Sequence, residues 1–342
     1  MSALESEPRS MAEFRRDPIT GRCVIIASNR ANRPRHYDTQ TELARSVECP
    51  FCEGNEGMTP PEIYALREQQ SAPNTRGWRV RVVPNKYPAL EDHGGWRQLD
   101  QSNDGISPGV GVHEVIIESS RHIVNIGSFD ENQFVDVLRA YQARLRVLRI
   151  DPRWRCLLIY KNQGKAAGAT LEHVHSQLIA LPMLPKEVSD EVNGAHRHYE
   201  STGACIYCAM IETETSSGGR LVASTERFVA LCPFAPRFAY ETWILPKYHS
   251  AIFENSSDEE ILDFGRALRN LILKLNVALG DPAFNYIIHT LPPQQSAESQ
   301  YHWHVEVLPQ VAKAAGLEWG SGIHLNSVSP EEAARVLRQT PG

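Results

Sequence analysis

The sequence contains no apolar run approaching the roughly 20 residues that a membrane-spanning helix needs, so no membrane association is expected. It has no basic excess: 35 Lys and Arg stand against 41 Asp and Glu, a net charge of −6. That balance supplies no field to recruit nucleic acid or anionic lipid. The segment MSALESEPRSMAEFRR lacks the apolar stretch of a secretory signal, and residues 1–13 are expected to form a disordered tail. There is also no even set of cysteines. Seven are scattered along the chain, which excludes a secreted disulfide framework and points to a reducing, cytoplasmic setting.

Four of the seven form two short pairs, Cys49-Pro-Phe-Cys52 and Cys205-Ile-Tyr-Cys208. Cys23, Cys156 and Cys232 sit among apolar neighbours and read as inert core residues. The pairs head two similar halves. HEVIIESSRH (113–122) matches YETWILPKYH (240–249). DPRWRCLLIY (151–160) matches DPAFNYIIHT (281–290), and EHVHSQLIALP (172–182) matches YHWHVEVLP (301–309). Each half runs in one order: a CxxC, a strand ending in Pro, a strand ending near a His, a long helix, another strand, and a strand opening with HxH.

The helices are legible from their apolar period. Phe134, Val137, Leu138, Tyr141, Leu145 and Leu148 form one stripe, behind a capping-box pattern at Asp130 and Gln133. Ile261, Phe264, Leu268, Leu271, Leu275 and Leu279 form the other, behind Ser257 and Glu260. A last short helix begins at Ser329-Pro330. Residues 94–111 and 292–299 read as long connections. The expected fold is α+β, with two similar halves, 14–185 and 186–342. Each is a mostly antiparallel sheet with a packed helix.

A CxxC alone serves redox or metal chemistry. Two at equivalent repeat positions favour metal, and structural zinc wants four ligands. The repeat nominates the remaining two for each site. His122 matches His249, each closing a strand, and His173 matches His302, each opening one. The expected sites are Cys49, Cys52, His122 and His173, and Cys205, Cys208, His249 and His302, giving two Zn2+ per chain. His36, His93, His196 and His198 lie in polar segments read as loops, and are expected to be exposed.

On a strand His173, His175 and Gln177 share a face. With His173 on zinc, His175 is left free as a nucleophile, general base or ligand. Upstream lies Asn162-Gln163-Gly164-Lys165-Ala166-Ala167-Gly168-Ala169-Thr170. Its small residues allow backbone N–H groups to approach an anion, with Lys165 and Gln177 as further donors. A histidine beside a phosphate nest suggests attack on phosphorus and a two-step group transfer. The second half has PPQQSAES for the small-residue loop and Glu306 for Gln177, so its HxH reads as structural.

The segments RRDPITGRCVIIASNRANRP, CPFC, VPNKYPAL, KNQG with AGA, and HxHxQ together resemble the galactose-1-phosphate uridylyltransferase branch of the histidine-triad superfamily, over about residues 14–340. The resemblance implies two tandem histidine-triad-like halves and ping-pong nucleotidyl transfer with His175 as nucleophile and Gln177 beside it. It places Arg30, Asn32, Asn85, Asn162, Gly168, Ala169, Thr170, Leu171 and Gln177 around a nucleotide sugar. It also implies a homodimer in which Leu317 and Glu318 of GLEWGSGIHLN (316–326) reach the sugar. The uridylyltransferases carry HPHGQ where this chain has HVHSQ. The HSQ ending and second CxxC look more like the ADP-glucose phosphorylase subgroup. The acceptor is then a hexose 1-phosphate or phosphate. A histidine-triad hydrolase would carry a third histidine where Gln177 stands. A non-catalytic zinc-stabilised binding protein would not need the intact loop and HxHxQ strand.

Overall fold

The computed structural model describes residues 12–28, 48–68, 70–92 and 108–342. Arg30, Asn32, His36, His93 and most of the 94–111 connection lie outside the described residues.

The two predicted long helices form where the apolar period is strongest, as α1 (Glu131–Arg149) and α4 (Asp258–Leu279). Asp130 caps the first by accepting from Gln133 N, 2.8 Å away. Ser257 and Glu260 close a full reciprocal capping box on the second. Their buried stripes, including Phe134, Leu138 and Tyr141 on α1 and Phe264, Leu268 and Leu271 on α4, merge in one core with the strands beneath.

Those strands make a single ten-stranded antiparallel sheet. Its members are β3 (Tyr64–Arg67), β4 (Trp78–Pro84), β5 (Val112–Ile117), β6 (Cys156–Gln163), β7 (His175–Leu181), β8 (Leu221–Ser224), β9 (Phe228–Leu231), β10 (Thr242–Pro246), β11 (Phe284–His289) and β12 (His304–Pro309). The order is β3-β4-β5-β7-β6-β11-β12-β10-β9-β8. It reads the same from either edge once the second-half strands are matched to the first. The two halves therefore meet at the central β6–β11 pair, where Asn162 lies opposite Asn285 and Tyr160 opposite Ile287.

The ladder corrects one repeat match. Gln177 pairs with Tyr160, and its equivalent Glu306 pairs with Ile287. The offset between β6 and β11 is thus 287 − 160 = 127, not the 130 that aligns DPRWRC with DPAFNY. By this register the counterpart of Asn162 is His289. The shared Asp-Pro turn precedes the strand by different lengths in the two halves, and it misled the alignment.

Two further readings change. The HxH strands begin at the second histidine, His175 and His304. His173 stands in the bend before β7, where Val174 N donates to Ile123 O and not to a strand neighbour. His196 and His198 lie on α2 (Lys186–Thr202), not in a loop; His196 is exposed.

A second, three-stranded sheet joins the two ends of the chain. β1 (Glu13–Arg16) pairs with β2 (Cys23–Ile26), and β13 (His324–Asn326) pairs parallel to β2. Arg15 reaches Glu331 at 2.9 Å beside it, at the start of α6 (Pro330–Gln339).

Candidate active site and metal centres

Side chains alternate along a strand, so β7 presents His175 and Gln177 on the face opposite α1 and sends Ser176 and Leu178 toward the helix. His175 is buried. Its Nδ1–H donates to His173 O at 2.7 Å, which leaves the lone pair on Nε2. Burial lowers the pKa of this imidazole, and the nearby Lys161 ammonium lowers it further, against the hydrogen bond to His173 O. The side chain is therefore a neutral, singly oriented nitrogen base, which is the form a nucleophile needs. The edge of Phe51, between the first two cysteines, packs on it at 5.2 Å.

Behind the strand lies a buried polar cluster that periodicity did not anticipate. Lys161 Nζ donates to Glu118 Oε2 at 2.5 Å and to His175 O at 3.0 Å, and both charged side chains are 1% exposed. The Tyr141 hydroxyl donates to Glu118 Oε1 at 2.9 Å and lies 2.7 Å from the Ser176 hydroxyl. Burial lowers the Lys161 pKa, and Glu118 opposes that shift. Lys161→Met is expected to destabilise the fold by about 3–5 kcal/mol in urea unfolding, because Glu118 loses its buried partner. Adding Glu118→Gln should restore most of that loss. A single variant as stable as the parent would contradict the pairing.

The small-residue loop folds into a tight turn. Gly164 (φ +81°) and Gly168 (φ +92°) occupy conformations that side chains disfavour. Ala167 N and Ala169 N donate to Gly164 O, and Gly168 N donates to Lys165 O. The turn thus consumes the amides of Gly168 and Ala169. Those of Thr170 and Leu171 have no backbone partner among the described residues and are left for an anion. Asn162 Oδ1 accepts from Asn285 Nδ2 at 2.8 Å, and Asn285 also ties down Ala167 O at 2.8 Å. The second half thereby braces the first half's loop. Asn85 follows β4, and its Oδ1 accepts from Tyr87 N at 2.9 Å.

Leu317 and Glu318 are not brought to His175. They lie on α5 (Gly316–Ser321), with Leu317 half-exposed. Glu318 lines a shallow open depression with Arg237, Lys313, His324 and Asn326, whose lining includes none of the residues around His175.

Both expected metal sets converge. Cys49, Cys52, His122 and His173 form one group and Cys205, Cys208, His249 and His302 the other, each with its ligand atoms within 4.8 Å of one another. Three of the four imidazoles are held from behind. His173 Nε2–H donates to Ser119 O (2.8 Å), His302 to Pro246 O (3.0 Å) and His249 to Glu298 O (2.6 Å). Each therefore turns a lone pair on Nδ1 toward the sulfurs, as histidine ligands to zinc do. His122 Nδ1 lies 3.4 Å from Cys52 Sγ. The donor sets fit a tetrahedral metal.

The thiols are shifted by burial and by one another. Burial and the neighbouring Cys49 sulfur push Cys52 up to about 11. In the other group a hydrogen bond from Cys208 holds Cys205 down and leaves Cys208 raised. Cys205 caps the N-terminus of α3 (Ile206–Ser217), a position also used by redox dithiols; His249 and His302 facing the sulfurs distinguish it.

A third group escaped the sequence reading. Glu191 of α2 accepts from the hydroxyls of Tyr207 (2.8 Å) and Tyr301 (2.7 Å) and from His289 Nδ1 (3.0 Å). His289 stacks on His304 with rings 4.6 Å apart and 7° from parallel. Burial opposes charge here, yet Glu191 and Glu306 raise His289 to about 10, while the facing imidazoles hold Glu191 down at about 2. Burial takes His304 to about 4. Glu191, His289 and His304 also have the spacing of a metal-holding group. Glu191 lies in α2, outside the matched repeat segments. Only the corrected register of β11 points to His289.

Comparison with known proteins agrees with this arrangement. The profile of the galactose-1-phosphate uridyl transferase N-terminal domain matches residues 3–185, and that of a domain of unknown function (DUF4921) matches residues 110–340. ADP-glucose phosphorylase of Arabidopsis thaliana is 35% identical, over 98% of this chain and 95% of that protein. Galactose-1-phosphate uridylyltransferase of Thermotoga maritima is 30% identical, over 96% and 99%. A crystal structure of the Arabidopsis thaliana ADP-glucose phosphorylase with bound ADP-glucose superposes with a TM-score of 0.83 at 34% identity, covering 97% of this chain and all of the other. The protein is a nucleotidyltransferase. It belongs to the galactose-1-phosphate uridylyltransferase family.

Proposed function

We propose that this chain moves an adenylyl group from ADP-glucose to inorganic phosphate. His175 Nε2 attacks the α-phosphorus, a nitrogen–phosphorus bond forms, and the bond to the β-phosphate oxygen breaks, releasing glucose 1-phosphate. A phosphate oxygen then attacks the same phosphorus, releasing ADP and the free imidazole. The oxygen that leaves in the first step and the oxygen that attacks in the second both belong to phosphates, so little acid–base help is needed and positioning carries the catalysis. In this reading Gln177, Asn85, Asn162 and the Gly168–Leu171 turn, through its Thr170 and Leu171 amides, surround the substrate, with Arg30 and Asn32 contributing from the segment before the first CxxC. The observation that carries it is the lone pair fixed on His175 Nε2 by the 2.7 Å bond from Nδ1–H to His173 O.

The two Cys2His2 groups each hold a zinc ion, and the ion of the first anchors the bend before the catalytic strand. The halves are 14–185 and 186–342. The chain works as a homodimer, with Leu317 and Glu318 serving the partner's site. Their separation from His175 within one chain favours that arrangement.

The second reading is uridylyl transfer from UDP-glucose to a hexose 1-phosphate, favoured by the Thermotoga maritima relative. Both reactions release glucose 1-phosphate, so the donor and acceptor pair that supports its release distinguishes the two. ADP-glucose with phosphate should exceed UDP-glucose with galactose 1-phosphate by at least ~100-fold in kcat/KM, the discrimination a hydrogen-bonding pocket provides. The opposite ratio would replace the adenylyl reading with the uridylyl one.

A further inference from the structure

His113, on β5, belongs to none of the expected site residues, yet it faces the site. Ala89 N–H donates to its Nδ1 at 3.0 Å. That nitrogen acts as the acceptor, which places the ring proton of the neutral imidazole on Nε2. From there it can bond only to an acceptor, and Gln177 Oε1 lies 2.7 Å away. Tyr160, opposite Gln177 on β6, donates its hydroxyl to the same oxygen at 3.0 Å. Asn85 Nδ2 lies 3.1 Å from His113 Nε2. With that nitrogen protonated, both groups are donors, so no hydrogen bond forms between them and their hydrogens must turn away from each other. Both lone pairs of Gln177 Oε1 are filled, and turning the amide over would set its NH2 group against the His113 Nε2–H, a donor with no acceptor form in this tautomer. The Gln177 NH2 has no partner among the described residues.

We infer that His113, with Tyr160, is a positioning residue that locks the Gln177 amide with its NH2 group toward the substrate phosphate. The inference rests on the reading of Gln177 as a phosphate donor. A carboxamide is nearly symmetric in shape and would present oxygen to phosphate as readily as nitrogen if left free. Fixing it beforehand removes a reorganisation from the transfer step. The chain of contacts runs from the loop after β4, through one ring proton, to the reacting group.

The test is a double-mutant cycle on the full-length, zinc-loaded protein. Its readout is the single-turnover rate of protein labelling by ADP-glucose carrying a labelled α-phosphate. His113→Phe keeps the ring and loses both nitrogens. It should slow labelling by about 10–100-fold, the scale of a misplaced reacting group, with kcat falling more than KM rises. His113→Gln can return an N–H near the Nε2 position and should recover part of the rate. In the Gln177→Ala background His113→Phe should have almost no further effect. If Gln177→Ala is slow but the two losses multiply, the inference falls and the reading of Gln177 stands. If Gln177→Ala labels as fast as the parent, the reading of Gln177 falls and takes the inference with it. Nitrogen-15 NMR, assigned by the signal missing in His113→Phe, should show the Nε2–H tautomer. Protonation at Nδ1 would overturn the inference whatever the rates.

Discussion

Replacing His175 by alanine is expected to abolish nucleotidyl transfer, with kcat/KM falling by at least ~10⁴-fold, as removal of an attacking group does. No acid-labile label should form on the protein from a nucleotide sugar. His304→Ala should still become labelled. Both imidazoles donate Nδ1–H to the carbonyl two residues back, 2.7 and 3.0 Å away, so local geometry does not separate them. Their surroundings do. His304 Nε2 faces Glu191, and its strand neighbour is Glu306, where His175 has Gln177. A carboxylate there would repel the phosphate that an amide would bind. The pH dependence follows from the direction of the shift. Burial lowers the His175 pKa below its ordinary value of 6.5. A free imidazole is half-protonated at pH 6.5, whereas this one remains mostly neutral. The single-turnover labelling rate should therefore fall between pH 7.5 and 6.5 by less than the roughly 45% that a free imidazole would lose; a midpoint at 6.5 or above would contradict a buried, neutral nucleophile.

Removing the first metal centre should have the next largest effect. Purified protein is expected to hold about two zinc ions per chain, and Cys49→Ser about one, since a tetrahedral site that loses a thiolate is no longer closed. The loss is expected to cost several kcal/mol and lower Tm by roughly 5–15 °C. Labelling should fall with it, because His173 stands in the bend that leads directly into β7. Cys205→Ser should also lose one ion and stability, but it should largely spare labelling. An unchanged zinc content in Cys49→Ser would remove that cysteine from the ligand set.

The features legible in the sequence were the repeated ones. Cys49 and Cys205, His122 and His249, and His173 and His302 each occur twice in matching contexts, and duplication separates a ligand from a chance histidine. The stripes of α1 and α4 were equally plain, because a helix on a sheet writes its period into the chain. What failed was pairing between distant segments. The Asp-Pro match placed β11 three residues out of register and hid His289 as the counterpart of Asn162. Glu191 and His113 gave no signal, since one sits on a connecting helix and the other on a strand end. Each becomes meaningful only through the residues set opposite it. The parallel seam between β2 and β13 joins the chain's two ends, and no local pattern announces it.

The meeting of β6 and β11 has a consequence for how the chain can be divided. A strand at the rim of a sheet exposes a ladder of unsatisfied N–H and C=O groups, an invitation to sticking and aggregation. If either half stood alone, β6 or β11 would be such a rim, and it is a long, largely buried one. In the fused chain each cancels the other, and among the described residues the four-residue strands β3 and β8 stand at the margins. The second half is therefore the permanent seal on the first, a role that asks nothing of its own His304, which faces Glu191.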